Sequence, residues 1–237
     1  MKKFLKWIII FILIITVLML SLYIYQKSVY TLDKVSFMLN SAYLPENVYI
    51  KNYTHTTEFD TYIDIYIKNN VQYLYQKTKS NITNIDTYNI DEYLIINENS
   101  RNIFISYTDK LILVNNNVEN NVSNIPEKNN FFAKVEAHGL HEYLGIYKYC
   151  GLENINGKKC IKVSMTDNNE NSIDRNYYYI DLETNLILKA ESAYGNSTND
   201  LEIVSTDNYE YYFNSVTDDK MPEFNINDYP DFLYSEI

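Results

Sequence analysis

From Asn47 onward, apolar side chains recur at every second position, and a period of two confines the chain to strands with two distinct faces. The segment TYIDIYIKNNVQYLYQKTK (61–79) sets Ile63, Ile65 and Ile67 against Tyr62, Asp64 and Tyr66, turns at Asn69-Asn70, and alternates again through Val71, Tyr73 and Tyr75. Asparagine tolerates the positive φ angles of a two-residue hairpin turn, so this stretch reads as a hairpin. Strands over 91–97, 102–108 and 110–115 follow at intervals of roughly ten residues. Asn156-Gly157, inside YLGIYKYCGLENINGKKCIKVSMT, is the strongest short turn signal in the chain. NYYYIDLETNLILKAES (176–192) and NDLEIVSTDNYEYYFNSV (199–216) supply two further hairpins. The expectation is a mainly β (α+β) domain of eleven to thirteen antiparallel strands and two helices, with the tail 217–237 peripheral.

The N-terminus obeys a different rule. Lys2, Lys3 and Lys6 precede nineteen uncharged residues, 7–25, which as a helix span about 28 Å, close to a bilayer's hydrocarbon core of about 30 Å. The exit LSLYIYQKS has bulky residues where a cleavage site needs small ones, so an uncleaved anchor is favoured over a signal peptide. Three lysines before the span and Lys27 after it place residue 1 in the cytoplasm, 1–27 as stub and transmembrane helix, and 28–237 as one extracytoplasmic domain. Helical spacing of Tyr30, Leu32, Val35, Met38 and Leu39 predicts an amphipathic helix over 31–41, ended near Pro45. The polar run 115–130 reads as a surface loop, and FFAKVEAHGL as a short helix capped by Gly139 with Phe131, Phe132 and Val135 inward.

Residues 28–237 carry 16 Lys and Arg against 31 Asp and Glu, a formal charge of −15, which excludes nucleic acid or an anionic membrane surface as partner. Arg101 and Arg175 are the only arginines, so bidentate phosphate clamps are scarce. The abundance of Asn, Ile, Tyr and Lys is the bias of an AT-rich bacterial genome.

Few side chains suggest chemistry. His138, His141 and Glu142 in AHGLHEY are metal-ligand types, but their spacing of three across Gly139 departs from the helical metalloprotease pattern, and a helix-end turn is the better reading. Cys150 and Cys160 lie in the two arms of the Asn156-Gly157 hairpin. A regular two-residue turn sets them on opposite faces, and a bulge at Gly151 would be needed to make a disulfide. Neither has a histidine beside it to make a reactive thiol. Asp181 and Glu183 lack a third acid, histidine or metal-ligand spacing, and Asp181 with Thr184-Asn185 is turn chemistry. Tyrosine, at 25 copies, could line a groove for an apolar or sugar ligand, and it is also a strand former that half-buries well. No catalytic residue, metal site or cofactor site is predicted.

The C-terminal half resembles the LolA/LolB-like lipoprotein-carrier superfamily. The resemblance rests on Gly151, Glu153, Ile155, Asn156, Gly157, Lys158 and Cys160, followed by Tyr178, Tyr179, Ile180, Asp181, Thr184, Leu186, Ile187 and Lys189. It is most similar to the clostridial, Gram-positive branch related to the spore-germination lipoprotein GerS. The resemblance implies an incomplete antiparallel β-barrel with a few covering helices and no catalytic residues. It also implies a concave apolar face that holds an acyl chain or lipoprotein, or a domain that binds a protein partner in the cell envelope. A tethered domain cannot ferry cargo far, which favours a membrane-anchored accessory of an envelope or germination protein, with lipid or acyl-chain binding as the alternative.

Overall fold

The computed structural model describes residues 2–81, 91–98, 101–116, 126–133, 146–169, 172–221 and 223–236. Helix α1 (Lys2–Val29) is followed almost at once by α2 (Leu32–Ser41). Strands β1 (Asn47–Thr56), β2 (Phe59–Lys68), β3 (Val71–Ser80), β4 (Asp91–Glu98), β5 (Arg101–Ser106) and β6 (Leu111–Asn116) come next. A short helix, α3, covers residues 128–133. Strands β7 (Tyr147–Ile155), β8 (Lys158–Asn169), β9 (Ser172–Asp181), β10 (Ile187–Gly195), β11 (Glu202–Phe213) and β12 (Leu233–Glu236) complete the chain.

The twelve strands of the described residues form one open sheet in the order β12-β6-β5-β4-β3-β2-β1-β11-β10-β9-β8-β7. Every pairing is antiparallel except that of β12, which joins β6 in parallel. The turns are those the asparagines predict: Asn69 and Asn70 take φ of 51° and 65°, and Asn156 and Gly157 take 52° and 84°, the mirror-image turn geometry of tight hairpins. Thr31 caps α2, accepting a hydrogen bond from the Lys34 amide at 3.4 Å.

The sheet is covered on opposite faces in its two halves. On what we call the front face, Val35, Met38 and Leu39 of α2 and Phe131 of α3 pack with Val48, Ile50, Ile67, Tyr149, Ile161, Val163, Met165, Tyr178, Ile180 and Ile187. This core spans β7–β11, β1 and β2. On the back face of β3–β6, a second core of Tyr73, Ile96, Ile103, Ile105, Ile112 and Val114 is covered by Met221, Phe224, Tyr229 and Phe232. The C-terminal tail is therefore a strap and not a peripheral segment. It is tied down by the Asn47 side-chain amide, which accepts from the Val216 N–H at 2.9 Å and donates to the Val216 carbonyl at 3.0 Å, and by an ion pair of Lys68 with Asp218 at 2.5 Å. Its aromatic rings give it an apolar underside that the scattered spacing of Phe224, Tyr229 and Phe232 does not announce as a strand or helix.

Helix α1 is long and apolar enough over Lys6–Tyr25 to cross a membrane, and no part of that span is buried in the protein. Its end is fixed to the domain: Tyr147 on β7 donates to the Tyr30 carbonyl at 2.7 Å, and the Tyr30 and Tyr149 rings stack at 5.5 Å.

Candidate binding faces

Residues directly opposite one another across paired strands share a face, so the register maps the front of the sheet. One row runs Ile50, Ile65, Leu74, Ile95, Phe104, Leu113 across β1–β6. Ile50 is fully buried beneath the helices, whereas Ile65, Leu74, Ile95, Phe104 and Leu113 are only half-buried. Among the described residues, Leu74, Ile95, Phe104 and Leu113 belong to none of the core clusters. The strap that covers these same strands lies on the other side, against the alternate residues. The result is an apolar strip about 19 Å long from Ile65 to Leu113, at roughly 4.8 Å per strand.

Beside the strip runs a row of amides: Gln72, Asn97, Asn102 and Asn115, with Asn97 donating to Gln72 at 3.3 Å. On its other side Tyr93 packs against Phe104, ring centroids 5.4 Å apart. The strip is thus an apolar lane with a polar margin. It can hold a chain-like apolar ligand and fix its lateral position, and it offers no group suited to acid, base or nucleophilic chemistry.

Farther along the front face, a cavity of about 320 Å³ lies between α3 and strands β9–β11, lined by Glu127, Asn130, Ala133, Asn176, Tyr178, Ser192 and Asp207. Glu127 accepts from Tyr209 at 3.2 Å and from the Asn130 amide, and Asp207 accepts from Thr54 at 2.5 Å. Burial raises both carboxyl pKa values, opposed at Glu127 by the Asn130 bond and at Asp207 by the Thr54 bond. The cavity therefore presents acceptors that take up protons more readily than exposed acids do.

The residues singled out from sequence fall elsewhere. His138, His141, Glu142, Val135 and Gly139 lie outside the described residues, as does most of the polar run 115–130. The end of that run is not loop: Glu127 enters the cavity and 128–130 begin α3. Cys150 and Cys160 are both free thiols. The bulge at Gly151, φ 128°, does form, and it brings the Cys150 sulfur to 3.5 Å from Ser164 Oγ, while Cys160 pairs with Glu153 four residues away along β8. Burial pushes the Cys160 thiol up to about 11, so it is no nucleophile at neutral pH. Asp181 is 1% exposed and ties the β9–β10 turn, accepting from the Glu183 amide at 3.2 Å and the Thr184 hydroxyl at 2.7 Å. Lys158 approaches it at 3.8 Å. Among the described residues no three His, Cys, Asp or Glu side chains group as metal ligands.

The apolar strip and the Glu127–Asp207 cavity were not visible in the sequence. The strip residues read as ordinary alternate strand positions, and Asp207 meets Glu127 only through the fold.

No protein-family profile matches the chain, and no curated protein is similar to it in sequence. Among solved structures, the lipoprotein LppX of Mycobacterium tuberculosis is similar at 10% identity over 79% of this chain and 98% of LppX, with a TM-score of 0.38. LprF from Mycobacterium bovis is similar at 11% identity over 81% of this chain and 97% of LprF, with a TM-score of 0.39. A domain named for outer membrane lipoprotein sorting, from Vibrio parahaemolyticus, reaches 8% identity and a TM-score of 0.25 over 83% and 95% of the two chains. At these values no residue role transfers to this chain.

Proposed function

We propose that this chain is a membrane-anchored, non-catalytic binding domain whose ligand is a lipid or acyl chain lying along Ile65, Leu74, Ile95, Phe104 and Leu113. The observation that carries this reading is the half-buried apolar strip itself, in register across five strands and left outside the core clusters from Leu74 to Leu113 among the described residues. A strip of about 19 Å exceeds the roughly 15 Å depth of one leaflet's hydrocarbon, so it accommodates most of an acyl chain. Burying that surface supplies the driving force, at about 25 cal/mol per Å² of apolar area. Anchoring rests on α1, with Lys2, Lys3 and Lys6 on the cytoplasmic side and residues 28–237 outside.

The test is lipid analysis of the full chain reconstituted in nanodiscs, with displacement of a fluorescent fatty acid as readout. Leu74→Gln places a side chain that Gln72 and Gln76 already carry on the same face, and should weaken fatty-acid binding about tenfold, the cost of burying an amide in place of an alkyl group. If the fatty acid binds equally well to that variant, or does not bind the native chain, the reading fails.

A second reading, a protein partner among envelope or spore-germination proteins, is favoured by the outer edge of β7, which among the described residues pairs with β8 alone. Such an edge accepts an added strand. Crosslinking from position 152 on β7 that recovers no envelope protein, in vegetative or sporulating cells, would remove its support.

A further inference from the structure

The back face of β2, β1 and β11 carries a second surface, unrelated to the apolar strip. Tyr66, Tyr49 and Tyr212 form one row of stacked rings, with centroids 4.7 and 5.3 Å apart. Tyr62 and Tyr53 form another, at 4.9 Å. Between them, in register, lie Asp64, Lys51 and Glu210. The two tyrosine rows are four residues apart along β1, about 13 Å at the strand repeat. Against the Tyr53–Tyr62 row, over this charged floor, lies a cavity of about 260 Å³ lined by Lys51, Asn52, Tyr53, Tyr62, Ile63, Asp64, Asn208 and Glu210.

The rings are held in place before any ligand arrives. Tyr49 donates to Asp64, Tyr212 to Glu210, and Tyr53 to Asp60 at 3.0 Å. Tyr62 is 51% exposed and Tyr212 42% exposed, so aromatic surface faces solvent on both sides of a charged floor. Pre-set aromatic walls reduce the ordering cost of binding.

The floor decides the ligand class. A cation would find Asp64 and Glu210 but meet Lys51 between them, and an anion would meet two carboxylates. A hydroxyl both donates and accepts, so a polyol satisfies all three groups at once. Its apolar C–H faces suit the tyrosine rings, which are amphipathic in the same sense. We propose that this cleft binds a saccharide unit, neutral and ring-shaped, of the kind found in a polysaccharide chain. The cavity beside Tyr53 and Tyr62 has volume for one ring with its hydroxyl edge down on Lys51, Asp64 and Glu210.

The test uses the full chain in a detergent without a sugar head group, titrated with tetrasaccharides of glucose and of N-acetylglucosamine by calorimetry. Binding of at least one is expected at millimolar or tighter affinity. Tyr62→Ala should weaken it about tenfold, consistent with the worth of one aromatic contact, while Tyr62→Phe keeps the ring and should stay close to native. Tyr194→Ala, a comparably exposed tyrosine on β10 outside the cleft, should bind as the native chain does. Thermal melts of each variant separate lost binding from lost folding. No heat with either tetrasaccharide, equal affinity in Tyr62→Ala, or binding of tetramethylammonium in their place would each overturn the proposal.

Discussion

Tyr147 on the edge strand β7 donates its hydroxyl to the main-chain carbonyl of Tyr30, at the point where α1 gives way to α2. With Tyr30 stacked on Tyr149, the domain is joined to the apolar helix by contacts and not by a loose linker. Tyr147→Phe removes the hydrogen bond and leaves the ring, so it should cost about 1 kcal/mol of stability. The same variant should accelerate amide exchange around Tyr30–Thr31, measured by hydrogen exchange mass spectrometry.

The strap makes a larger contribution. Phe232 meets Tyr107 and Tyr229 edge-on, with centroids 6.1 and 5.2 Å apart. Phe232→Ala should destabilise by about 2 kcal/mol, given that the ring is half-buried. Deleting residues 218–237 strips the cover from Ile103, Ile105 and Ile112, and should produce a species that binds a hydrophobic dye and aggregates.

Asp181 is predicted to matter for folding alone. Asp181→Ala leaves the Glu183 amide and the Thr184 hydroxyl without their acceptor, and urea unfolding should show a loss of about 1–3 kcal/mol. Fatty-acid and saccharide binding should be unchanged when measured well below the unfolding midpoint.

Glu127 gives the protein a pH response of known sign. Burial raises its carboxyl pKa above the unfolded value, so the folded state holds the proton to higher pH than the unfolded chain does. Stability from this group is present below the unfolded pKa and declines as pH rises through the folded one. Glu127→Gln keeps an oxygen for Tyr209 and removes the ionisation, so it should raise the melting temperature at neutral pH and flatten its fall between acid and neutral conditions.

The two thiols should behave unequally. Cys150 is partly exposed and Cys160 is buried with its thiol pushed up to about 11. Alkylation of the native protein should modify Cys150 rapidly and Cys160 only on unfolding, and intact mass should show two thiols with no intramolecular bond.

Local features were legible because local chemistry dictates them. Asn69-Asn70 and Asn156-Gly157 announce their turns through the φ angles they tolerate, and Thr31 announces the start of α2. Which face of each strand is buried was not legible in β4 and β5. Leu94, Ile95 and Ile96, like Ile103, Phe104 and Ile105, are apolar on both faces, so the period gives no preference there. Only the strap, arriving from more than a hundred residues away, makes Ile96 core and leaves Ile95 half-open. The excess of tyrosines and acids, read separately as strand formers and surface charge, is one phenomenon in the structure. Tyr49–Asp64, Tyr53–Asp60, Tyr75–Glu92, Tyr179–Glu191, Tyr209–Glu127, Tyr212–Glu210 and Tyr234–Glu236 are hydrogen-bonded pairs.

Covering β3–β6 from behind has a thermodynamic corollary. Ile95 and Ile96 are neighbours in the chain that look in opposite directions, one toward the open strip and the other toward the strap. A ligand that stiffens these four strands from the front makes the strap's seat more favourable, and linkage requires a seated strap to tighten the ligand by the same factor. Any such coupling is reinforced at the strip's end, where β12 of the same C-terminal segment pairs with β6 and sets Ser235 opposite Leu113.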